Sequence, residues 1–83
     1  MAEAYENLAG RVEEIVYRNP DNGYTVLQLN TGEANGDVET VAGEMPPISE
    51  GEEAVFRGQW TMHPRFGRQF KAVQVTVTSL SAI

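Results

Sequence analysis

Between two runs of β-forming residues the chain reads Tyr17-Arg18-Asn19-Pro20-Asp21-Asn22-Gly23-Tyr24. This segment constrains the fold more than any other. Asn-Gly supplies the positive φ angles that a tight link between antiparallel strands demands, and Asn and Asp side chains bond back to the local backbone in turns. A hairpin is therefore fixed at residues 19–23, and the rest of the chain has to be built outward from it. The arm before the turn, residues 8–18, alternates at Leu8, Gly10 and Val12, then changes phase to Ile15 and Tyr17. One extra residue in the strand, a bulge at Glu13-Glu14, accounts for the change and bends the strand as a small barrel requires. The arm after the turn covers residues 24–31.

The same reading carries to the end of the chain. A turn at residues 32–37 leads to a third strand over 38–43. Residues 44–51 contain Pro46-Pro47, which excludes a strand and permits at most a helical turn. A fourth strand over 54–62 places Phe56, Gly58, Trp60 and Met62 on one face. A loop over 63–68 and a fifth strand over 69–78, dense in Val and Thr, complete the chain. No sustained helical period and no internal repeat is present. Three strands, a connection and a hairpin predict an all-β domain, a small closed five-stranded OB-fold-like barrel whose first strand pairs with its fourth. An SH3-like barrel is the rival architecture. The expected organisation is a disordered segment at 1–7, the barrel at 8–78 and a frayed end at 79–83.

With 83 residues the chain forms one domain and buries only about 60–65% of its unfolded surface. It contains no cysteine, so disulfides and thiolate metal sites are excluded. No apolar run approaches the ~20 residues that span a bilayer as a helix. The acidic start, Met1 to Glu6, lacks the basic and apolar parts of a signal peptide. A cytoplasmic, monomeric protein without membrane association is expected. The net charge of −6 argues against phosphate binding read globally. Yet residues 57–71 hold Arg57, Arg65, Arg68 and Lys71 with no acid, leaving −10 on the remainder. Charge acts locally, over about 8–10 Å in cell-like salt.

Around those cations stand rings: Trp60, His63, Phe66 and Phe70. Cations that track phosphates and rings that stack on bases are the pairing that holds single strands. The same residues have an ordinary structural role open to them, with Trp60 and Phe70 in the core and the arginines solubilising a loop. His63 is the only histidine and has no ligand partners for a metal. Glu13-Glu14 point opposite ways on a strand, and Glu50, Glu52 and Glu53 read as a solvated turn. No phosphate loop, calcium loop or nucleophile–base pair is present. No catalytic site, no cofactor and no metal are expected.

Residues 17–27, Tyr-Arg-Asn-Pro-Asp-Asn-Gly-Tyr-Thr-Val-Leu, resemble the first hairpin of the N-terminal domain of RecD-like ATP-dependent DNA helicases, the exodeoxyribonuclease V alpha subunit family. His63-Pro64-Arg65-Phe66-Gly67-Arg68-Gln69-Phe70-Lys71 resembles the matching element near that domain's end. Gly10-Arg11-Val12-Glu13 and Gly58-Gln59-Trp60 fall in the expected order, so the likeness spans most of the chain. It covers only the front of a larger enzyme, whose ATP-dependent motor domains have no counterpart here. The resemblance implies an accessory domain cut from a helicase of recombination or repair. Its partners would be the motor domains and, weakly, single-stranded DNA. The expected nucleic-acid contacts are Arg57, His63, Arg65, Phe66, Arg68, Lys71, Tyr17 and Tyr24. The alternative is a protein-interaction or architectural domain without DNA contact.

Overall fold

The structure, a computed structural model, describes residues 5–32, 37–65 and 67–78. Its strands are β1 (Glu6–Arg18), β2 (Tyr24–Asn30), β3 (Val38–Glu44), β4 (Glu53–His63) and β5 (Gly67–Val77). They close into a barrel in the order β1-β2-β3-β5-β4, with β1 returning to β4. All pairings are antiparallel except β3 with β5, which is parallel and held at Val41↔Phe70 and Ala42↔Lys71. This closure is the OB arrangement and excludes the SH3-like alternative. β1 begins two residues earlier than the sequence pattern suggests, because Glu6 and Asn7 pair with Gly58 and Arg57. Those residues belong to the barrel rather than to a disordered segment. Residues 1–4 and 79–83, expected to be disordered or frayed, lie outside the described residues.

The bulge expected at Glu13-Glu14 is present: Val12 faces Leu29 and Glu14 faces Gln28, leaving Glu13 as the extra residue. A second shift lies between Ile15 and Tyr17, which the pattern did not indicate. It turns Val16 outward, where it is exposed. Each bulge bends β1 and adds local twist. A third irregularity, between Arg57 and Gly58, sets Gly58 opposite Ala72. There the β5 backbone comes so close that a Cβ on Gly58 would collide with the Lys71 carbonyl oxygen.

The core is made by inward positions of every strand: Val12, Leu27, Leu29, Val41, Phe56 and Phe70 are fully enclosed. Trp60 packs edge-on against Phe70 with centroids 5.0 Å apart. Met62 shares that face of β4 but is exposed, because the β4–β5 hairpin runs past the short β3. The connection carrying Pro46-Pro47 forms no helix. It seals one end of the barrel with Met45 and Ile48, both buried. Its acids are structural. Glu50 Oε2 accepts the N–H of Ile15 between the two bulges at 3.2 Å, and Glu52 Oε1 accepts the N–H of Ser49 at 2.7 Å.

Candidate nucleic-acid interface

The turn at 19–23 is built by the residue types that announce it. Asn19 Oδ1 accepts the N–H of Asp21, and Asn22 Oδ1 accepts the N–H of Tyr24, both at 2.9 Å. Gly23 donates to the Asn19 carbonyl at 2.8 Å and sits at φ 80°, a conformation that costs a residue with a side chain. From beneath, Arg18 Nη1 donates to Thr25 Oγ1 at 2.8 Å and to the Met45 carbonyl at 3.3 Å. The turn is thus tied to the sheet and to the β3–β4 connection. The product of this bracing is the placement of two rings: Tyr17 at the end of β1 and Tyr24 at the start of β2, 51% and 39% exposed.

Those tyrosines form one side of an apolar cleft of about 400 Å³, lined also by Val16, Val26, Gln28, His63 and Gln69. The volume lies within the range of ligand-binding clefts, about 300–1,000 Å³. No Asp, Glu, Lys or Arg lines it. The β1–β2 turn bounds one edge and the end of the β4–β5 hairpin the other, so it occupies the face on which OB barrels bind oligomers. His63 Nδ1 accepts the N–H of Arg65 at 3.0 Å, holding the ring against the hairpin turn. A shallower groove adjoins at Tyr24, lined by Gly43, Glu44, Lys71, Ala72 and Val73.

The expected contact residues divide. Tyr17, Tyr24 and His63 meet in the cleft. Lys71 stands in the adjoining groove, which Glu44 also lines. Arg65 is exposed in the β4–β5 turn beside His63. Arg57 shares the outward face of β4 with His63 but lies six residues along it, about 20 Å at the rise of a strand. Its guanidinium sits over Tyr5 at 5.5 Å from the ring centroid. Arg68 neighbours Gln69 and so faces the other side of the hairpin, where it lies 3.8 Å over the Trp60 ring. Trp60 Nε1 donates to Glu6 Oε1 at 3.3 Å. The four cations that adjoin in sequence therefore form no single patch. Phe66 lies outside the described residues.

Four cleft residues escaped the sequence reading: Val16, Val26, Gln28 and Gln69. Val26 alone left a trace, as an apolar side chain at an outward position between the buried Thr25 and Leu27. Among the described residues no group of three or more His, Cys, Asp or Glu could hold a metal. A five-stranded barrel with this closure, carrying a ring-lined cleft on its β2 face, invites comparison with helicase accessory domains. The family described as the OB-fold domain of the ATP-dependent DNA helicase YrrC matches residues 5–79. With nearly its whole length matched, the chain belongs to that family of helicase OB-fold domains.

Proposed function

We propose that this domain is the accessory module with which a DNA helicase of recombination or repair touches single-stranded DNA, and that bases stack in the Tyr17–Tyr24 cleft. The observation that carries the reading is the pair of half-exposed rings in an uncharged cleft on the OB binding face. Exposed rings need a reason, and every base offers a face to stack on, at about 1–3 kcal/mol each. Arg65, beside His63, and Lys71, in the adjoining groove, meet about one or two phosphates. The domain brings no cofactor of its own and works in the cytoplasm beside the motor domains.

Charge sets the expected strength. With the cations dispersed and the total at −6, binding is weak and sequence-tolerant, in the range of about 10⁻⁴–10⁻⁶ M. The salt slope should be shallow, about −0.7 to −1.4, from −0.7 per neutralised phosphate on a single strand. Fluorescence anisotropy of labelled oligothymidine tests this. Binding that Tyr17→Ala and Tyr24→Ala each weaken supports it. Absence of binding at millimolar protein in low salt defeats it and gives the cleft to a protein surface, such as the motor.

A further inference from the structure

Two polar side chains are buried among the described residues, Thr25 and Gln69. Thr25 is fully satisfied: its hydroxyl donates to the Gly23 carbonyl at 3.0 Å and accepts from Arg18 at 2.8 Å. Gln69 is 9% exposed and lines the cleft, and its carboxamide makes no hydrogen bond to another described residue. An amide that bonds no other residue and reaches solvent through a single opening can exchange that water for the polar edge of a ligand. The amide is not sealed off, since no side-chain polar atom that is wholly enclosed lacks a partner. Its remaining access is the cleft. Gln28 stands on the same wall, with Nε2 reaching Thr40 Oγ1 at 3.4 Å.

The geometry points to Gln69 as the group that reads the hydrogen-bonding edge of one unpaired nucleobase lodged against Tyr17 and Tyr24. This deepens the function proposed above and rests on it. A carboxamide presents one acceptor and one donor side by side. Each of the four bases presents a neighbouring donor and acceptor on its Watson–Crick edge, in one order or the other. Rotation of the amide by a half-turn matches either order, so the reading selects no sequence. It does select a free edge: in a duplex that edge is occupied by the complementary strand, and an abasic sugar has none. The uncharged lining fits a base and does not fit a phosphate. The ligand is therefore a base of single-stranded nucleic acid, and strand opening is the condition for its entry into the cleft.

The test compares short oligothymidine, an abasic oligomer of equal length and a blunt duplex, each added to the wild-type chain and to Gln69→Leu. Leucine keeps the volume and removes an amide that bonds no other residue of the domain, so the melting temperature should not fall by more than a few degrees. Oligothymidine should bind Gln69→Leu about tenfold more weakly, the loss of a bidentate pair. It should also shift the Gln69 side-chain NH₂ resonances of the wild type, which a merely structural glutamine would not show. The abasic oligomer and the duplex should compete poorly. Gln69→Met serves as a second variant and should give the same pattern. Undiminished binding by both variants, with loss in Tyr24→Ala, overturns the role of Gln69 and leaves the stacking surface standing. An abasic oligomer that binds as well as oligothymidine also overturns it. No binding of any probe by the wild type removes both readings.

Discussion

Arg18 is the brace on which the cleft geometry depends, and its replacement by methionine gives a sharp expectation. The substitution keeps an unbranched stem of similar packing and deletes the guanidinium. Two hydrogen bonds from a charged donor are lost, the short one to Thr25 and the longer one to the Met45 carbonyl. Such bonds contribute about 1.5–3 kcal/mol each when well formed. The second is long, and Thr25 keeps its bond to Gly23, so the sum should be discounted. A destabilisation of about 2 kcal/mol follows, which in a domain of this size lowers the melting temperature by about 8–16 °C. Thermal and urea unfolding followed by circular dichroism measure it. A Thr25→Val cycle should show coupling with Arg18→Met of at least about 0.5 kcal/mol, as expected for contacting partners. Arg57→Met, on the barrel's exposed side, should change stability by under about 0.5 kcal/mol. A loss below that bound for Arg18→Met, or the absence of coupling, would refute the brace.

Three further outcomes are expected. Gly58→Ala should destabilise by about 1–3 kcal/mol, the usual consequence of overpacking, because the added methyl meets the Lys71 backbone; equilibrium unfolding in urea reads it. Tyr24→Ala should weaken oligothymidine binding by about 1–3 kcal/mol in anisotropy while leaving far-UV circular dichroism unchanged, whereas Arg57→Ala should leave affinity within about twofold, since Arg57 sits about 20 Å along the strand from the cleft. The purified chain should neither hydrolyse ATP nor cleave DNA, and turnover that co-purifies with it through a second column would contradict this.

What could be read in advance followed the range of the forces involved. The β1–β2 hairpin was legible because turn chemistry is local: Asn19, Asn22 and Gly23 bond within five residues. The bulge at Glu13 was legible because it breaks an alternation of apolar and polar residues. The bulge at Val16 was not, since Ile15-Val16-Tyr17 is apolar throughout and hides the shift of phase. The cation cluster misled for a geometric reason. Residues adjacent in sequence alternate faces on a strand, so Arg68 went to the Trp60 side and Gln69 to the cleft. Gln69 could not be singled out from the sequence, because a glutamine on a strand is unremarkable until its burial and its lack of partners are seen together.

Nucleic acid is proposed to meet the uncharged, ring-lined cleft first, with Arg65 and Lys71 at its border and Arg57 and Arg68 taking no part. An ¹H–¹⁵N titration of the chain with oligothymidine at low salt tests it most directly. Saturable shifts should centre on Tyr17, Tyr24, Val26, Gln28 and Gln69 and fade toward Arg57 and Gln74 on the far stretch of β4 and β5. Shifts centred on Arg57, or none at millimolar oligonucleotide, would contradict it.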